Sequence, residues 1–241
     1  MLPSPLAPRI GAHRCRVADV TATLRWTEWG PVDGPPVVCV HGLTRTGRDF
    51  DALAQALAAQ GRRVICPDIF GRGLSDWLPR SDLYTVPHYA LALLPMLATL
   101  GRPYDWVGTS MGGLIGMAIA AAPGQSMRRL VLNDVGPVLS GAALARIGAY
   151  VGQPRDFDDL AGVEAYLRAV HAPFGDLGDE GWRHLAATSA RTTSTGRFVL
   201  HYDLAIAGPF AALPPGDQEL WELWSLLTPP TLVLREKRKS A

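Results

Sequence analysis

The pentapeptide Gly108-Thr109-Ser110-Met111-Gly112 constrains this chain more than any other stretch. It follows the apolar pair Trp106-Val107 and opens straight into the apolar run 113–122, so the pattern predicts a strand, a sharp turn and a helix in succession. Glycine is needed at the two outer positions, where bulkier side chains would collide across the turn, and the turn lifts the serine oxygen into the open above the strand end. Met111 then begins a helix whose free N–H groups and positive dipole end favour a developing anion. A bare Gly-x-Ser-x-Gly also occurs in incidental turns. The strand before it and the helix behind it are what point to a nucleophile.

Around this turn the chain alternates between two kinds of pattern. Fully apolar, largely β-branched runs at 37–40, 64–66, 131–132 and 231–234 read as strands buried on both faces. Helical stretches lie between them at 50–60, with Phe50, Leu53, Ala54 and Leu57 on one side, at 86–100 and at 111–122. The alternation predicts an α/β fold built on right-handed βαβ units and a mostly parallel sheet. Residues 13–29, with Val20, Ala22, Leu24 and Trp26 in alternation, predict a hairpin entering it, ended by the turn-rich segment 30–36. From 137 to 215 the rhythm becomes helical (Val163, Tyr166, Leu167, Val170), and no parallel strand is legible. The organisation expected is a core of 1–136 and 216–241 carrying a helical cap at 137–215. With 241 residues, 48% of them hydrophobic and 19% charged, the chain can bury a real core and is not a disordered one.

Two further segments carry chemistry. His41-Gly42-Leu43 follows the run 37–40, a place from which the Leu43 N–H can face the same oxyanion as the Met111 N–H. Pro67-Asp68-Ile69-Phe70-Gly71-Arg72-Gly73-Leu74-Ser75 closes the run 64–66 in a glycine-rich loop. With these three motifs in this order the sequence resembles the α/β-hydrolase family, in its cap-bearing form that includes esterases, lactonases and C–C bond hydrolases. The resemblance spans about 37–234. It implies Ser110 as nucleophile, an oxyanion hole from Leu43 and Met111, and a substrate site bordered by His41, Gly42 and Leu43, with the His41 ring taken as structural.

The family also uses an acid after a later strand and a histidine after the last, in the chain order Ser, Asp/Glu, His. Here the run 231–234 leads into Arg235-Glu236-Lys237-Arg238-Lys239-Ser240-Ala241. The expectation is therefore a C-terminally truncated member, impaired in turnover for want of the histidine. Asp134, at the end of the run 131–132, is the candidate acid, and Glu236 could serve in principle. His171, His184 and His201 follow Ser110 but fall in the cap, where His201-Tyr202-Asp203 reads as the polar edge of a helix; His88 reads as a first-turn residue. Both lysines of the chain, Lys237 and Lys239, lie in the last five residues among 23 basic ones that are otherwise arginine, so the tail is compositionally foreign.

A net charge of +1 argues against nucleic acid as a partner, and no apolar run reaches the roughly 20 residues of a membrane span. Cys15, Cys39 and Cys66 have no chelating spacing and read as reduced thiols, and no secretion signal is legible, so a cytoplasmic location is expected with no cofactor and no metal. The function expected is a serine hydrolase for a small ester, lactone or related acyl substrate. A dehalogenase is disfavoured because a serine stands where a carboxylate is needed. The alternative is a hydrolase-like binding protein without a working triad.

Overall fold

A computed structural model describes residues 7–172, 175 and 177–235. The hairpin forms from β1 (Arg9–Val17) and β2 (Val20–Trp29), turning through Ala18 at φ 52°. Then come β3 (Pro36–Val40), α1 (Asp51–Ala59), β4 (Arg63–Asp68), α2 (Val86–Ala98), β5 (Tyr104–Thr109), α3 (Met111–Ala120) and β6 (Met127–Asn133). An insertion follows, made of β7 (Val138–Leu139), α4 (Gly141–Gly148), β8 (Asp156–Phe157), α5 (Leu160–Val170), α6 (Gly178–Ser189), β9 (Ala190–Thr192), β10 (Phe198–Leu200), α7 (Ala207–Ala211) and β11 (Gln218–Glu219). The chain returns through α8 (Trp221–Ser225) to β12 (Thr231–Leu234).

The main sheet has the order β1-β2-β4-β3-β5-β6-β12, antiparallel across β1, β2 and β4 and parallel from β4 to β12. Its centre explains the unbroken apolar runs. All five residues of β3 are buried, and successive side chains go to opposite faces. Val38 and Val40 join the large core that includes Leu93 of α2 and Ile115 of α3, whereas Val37 and Cys39 join Phe50 and Ala54 beneath α1. On β4, Ile65 takes the first side and Val64 and Cys66 the second. The core positions of β3 and β5 thus hold the site's loops at the C-terminal ends of parallel strands, where α/β sheets gather ligand-binding groups.

Three expectations need correction. The insertion is not purely helical: β8, β10 and β9 form an antiparallel sheet, and β7 pairs with β11. Strands of two or three residues are too short to register a period of two. The insertion has its own small core of Val163, Leu167, Trp182, Leu185 and Ala186 between α5 and α6. His201-Tyr202-Asp203 lies outside any helix and pairs with the Gly71–Gly73 loop: Gly73 N–H donates to His201 O at 3.2 Å, and Asp203 N–H to Gly71 O at 2.7 Å. Finally, β12 is not buried on both faces. It pairs only with β6 among the described residues, leaving Leu232, Val233 and Leu234 exposed by 55%, 44% and 45%.

Residues 1–6 and the segment with Glu236, Lys237 and Lys239 lie outside the described residues. Among the described residues no helix is long and apolar enough to cross a membrane.

Candidate active site

Ser110 connects β5 to α3 with φ 49° and ψ −114°, a backbone state that a residue with a Cβ rarely adopts. Hydrogen bonds hold it there. Its N–H donates to Asn133 O at 2.9 Å, and its carbonyl accepts from the N–H groups of Gly113 (2.9 Å) and Leu114 (3.1 Å). A Cβ at Gly108 would overlap the Gly112 backbone, and one at Gly112 would overlap the carbonyl of Val40. Gly112 thus lets α3 approach the end of β3, and the Trp106 indole N–H secures the turn by donating to Gly112 O at 3.0 Å.

The loop after β3 runs beside this elbow. A Cβ at Gly42 would stand 3.8 Å from that of Ser110. Gly42 O accepts from His41 Nδ1–H at 2.7 Å and from Arg45 N–H at 3.2 Å. In a trans peptide the N–H points opposite to the C=O, so these bonds turn the Leu43 N–H the other way. Among the described residues neither the Leu43 N–H nor the Met111 N–H has an acceptor. Two unspent backbone donors therefore stand on the two segments that meet at Ser110.

The Asp68 loop braces the β3 loop from behind. Asp68 carboxylate oxygens accept from Gly47 N–H at 2.7 Å and Leu74 N–H at 2.8 Å, and Ser75 Oγ–H donates to Asp68 O at 2.5 Å. Gly73, at φ +50°, has no room for a Cβ against that carboxylate. Burial pushes the Asp68 carboxyl above its usual range, while the Leu74 and Gly47 donors pull it back. Between the two loops lies Arg72, fully buried, which sequence reasoning passes over. Its only signal there is a charged residue set between two glycines.

The α/β-hydrolase fold, as a family model, matches residues 35–161, from the start of β3 into α5. The chain belongs to the α/β-hydrolase fold family. This α/β hydrolase is 42% identical over 239 residues to the 3-hydroxybutyrate-oligomer hydrolase of Cupriavidus necator, covering 95% of this chain and 81% of that protein. Among solved structures it is similar to a hydrolase from Rickettsia typhi (TM-score 0.86, 29% identity, 93% of this chain and 81% of that one). It is also similar to an α/β hydrolase from Novosphingobium aromaticivorans (TM-score 0.81, 36% identity, 94% and 81%).

The remaining expected site residues of the α/β hydrolase are less closely assembled. Asp134 follows β6 at φ 55°, exposed, with its N–H donating to Leu234 O at 2.9 Å; no hydrogen bond to its carboxylate is found among the described residues. Nor is Ser110 Oγ bonded to a histidine there. His184 Nε2 lies 3.3 Å from Asp51 Oδ2, His88 Nδ1 lies 3.0 Å from Thr85 Oγ1, and the His201 backbone N–H donates to Ser189 O at 2.7 Å. His41 is fully buried and accepts at Nε2 from Ile69 N–H at 2.9 Å, so it offers a substrate no surface; Gly42 beside it is buried too, and Leu43 is half-buried. A cleft lined by Thr44, Arg45, Tyr150, His171 and Tyr202 lies between this loop and the insertion. A larger groove near Trp77 and Arg155 also exists, and Ser110 lines neither.

These histidines make stability depend on pH. Burial lowers His41 to about 3, against the pull of the Gly42 carbonyl and with help from the Arg72 charge; burial and Arg45 lower His171 to about 4. Both stay neutral in the folded chain below pH 6.5, where the unfolded chain takes up their protons, so stability falls as the pH falls through that window. The expected slope is about 1.4 kcal/mol per pH unit for each group. Urea midpoints measured from pH 6.5 to 4.5 should drop, and drop less steeply in His171→Gln. Equal slopes in the two proteins would rule out the His171 contribution.

Proposed function

We propose that this α/β hydrolase cleaves small carboxylic esters, short oligoesters of hydroxy acids among them, with Ser110 as the nucleophile. The observation that carries the reading is the pair of unspent N–H donors, Leu43 and Met111, beside a serine held at positive φ. Ser110 Oγ attacks the ester carbonyl carbon and gives up its proton to a base. The carbonyl oxygen becomes an alkoxide facing the two donors, and its collapse expels the alcohol, which takes a proton. Water then attacks the acyl-serine, and the same hole receives the second alkoxide. Asp134, just past the end of β6, the strand beside β5, is the acid of this reading. The substrate class draws on the relative from Cupriavidus necator, whose name gives 3-hydroxybutyrate oligomers as its substrate.

The setting belongs to the proposal too. A hydrogen bond with the Cys39 thiol, together with burial, pushes the Cys66 thiol up, and all three cysteines are free and buried, which supports a reducing, cytoplasmic compartment.

The test is covalent labelling with a p-nitrophenyl phosphonate, followed by peptide mapping, alongside hydrolysis of 3-hydroxybutyrate dimer and trimer. Label on Ser110, and loss of both label and oligoester cleavage in Ser110→Ala, are expected. Label elsewhere, or cleavage that survives the substitution, would overturn the reading. The second reading, a binding protein that does not turn over, rests on the missing histidine partner of Ser110 among the described residues. Micromolar oligoester binding with no Ser110 labelling would favour it.

A further inference from the structure

Arg72 is fully buried, yet no carboxylate lies within ion-pair distance of it among the described residues. All its acceptors are neutral. Nε–H donates to Leu43 O at 2.7 Å, Nη1 donates to Phe70 O at 2.6 Å and to Tyr89 Oη at 2.7 Å, and Nη2 reaches Met111 Sδ at 3.5 Å. The rings of Tyr89 and Tyr84 stand 5.3 and 5.9 Å from its central carbon. A buried guanidinium is costly to desolvate, and an apolar side chain of similar size often serves packing as well. Packing alone does not account for an unpaired charge at this place.

What the charge touches does account for it. Two of its contacts are the very residues whose N–H groups flank Ser110. Leu43 is held from both sides: the preceding carbonyl, Gly42 O, is fixed by His41 and Arg45, and its own carbonyl by Arg72. Met111 is held by its side chain. The same arginine pairs through its backbone with Tyr202, so the insertion rests on the segment that braces the hole. The Asp203 carboxylate stays outside this contact, accepting from Tyr84 Oη–H at 2.6 Å.

Resting on the Ser110 reading, we propose that Arg72 is the positioning residue of the oxyanion hole: its guanidinium fixes Leu43 and Met111 and places a buried positive charge behind the two donors. An ester carbonyl in the ground state draws little on such a charge. A full negative charge on the same oxygen draws on it strongly, because the guanidinium is buried. The signature of Arg72 is therefore a loss in the reaction step with substrate binding largely kept.

The experiment follows phosphonylation of Ser110 by a p-nitrophenyl alkylphosphonate in the full chain. The Ser110 Oγ–P bond forms, the P–O bond to nitrophenolate breaks, and the serine proton passes to solvent; the adduct leaves its phosphoryl oxygen in the hole. Arg72→Met should lower the limiting labelling rate about 10- to 100-fold, short of the 10²–10³ typical for losing a direct donor, with the half-saturating concentration within about threefold of the wild type. The ³¹P resonance of its adduct should move from the wild-type position. Arg72→Lys keeps the charge without the fork and should recover part of the rate; it also carries the test if Arg72→Met does not fold. A folded Arg72→Met, or failing that Arg72→Lys, with wild-type rate and ³¹P position would overturn the inference and leave the Ser110 reading intact. So would a loss confined to the half-saturating concentration. A wild-type chain left unlabelled at Ser110 would overturn both.

Discussion

A chain extended past Leu234 to supply an Asp soon after it, and a His after one further strand, should hydrolyse an activated aryl ester roughly 10²–10⁴ times faster than residues 1–241. The physical reason lies at Ser110. Its Oγ is bonded to no histidine among the described residues, and an alcohol left with its proton is a weak nucleophile at neutral pH. On the proposed reading the two backbone donors still face the alkoxide, so residues 1–241 should keep a residual rate, of the order of 10³–10⁴ over water in serine proteases stripped of triad members. Ser110→Ala in the extended chain should erase the gain. Strong Ser110-dependent turnover by residues 1–241 themselves would contradict this, and substituting His171, His184 and His201 in turn would then locate the base.

Gly112→Val and Gly108→Val should each destabilise the fold by about 3–5 kcal/mol or prevent it from forming. The added atoms have no soft neighbour to displace. At Gly112 the first of them falls on the Val40 carbonyl, and at Gly108 on the backbone of Gly112 and Gly113, so the response must be a movement of α3 away from β3 and β5. Such a movement also pulls the Met111 N–H away from its place opposite Leu43. Soluble expression, thermal melting and labelling at Ser110 are the measurements. Valine variants that melt with the wild type would mean that α3 and β3 are not packed this closely.

These glycines also show why the turn at Ser110 is legible in the amino-acid sequence. At Gly108, Ser110 and Gly112 one local turn dictates residue type, so five residues of sequence suffice. The central strands are legible for a related reason, since Val37, Val38, Cys39 and Val40 are all buried and nothing but apolar residues fits. Arg72 is not. Its neighbours Leu43, Tyr89 and Met111 come from three other segments, and only their convergence gives its charge a meaning. The short strands of the insertion escape because two or three residues carry no period, and β12 misleads because an apolar composition reports an affinity for cover, not the presence of it.

The two outer strands of the main sheet are unlike each other. β1 carries the exposed arginines Arg14 and Arg16 on one face and Arg9 on the other, where Arg9 pairs with Glu28 at 2.8 Å. β12 presents Leu232, Val233 and Leu234. A contact of the β12 surface with its own copy would be isologous, satisfied by a twofold axis. Assembly by that route stops at a pair.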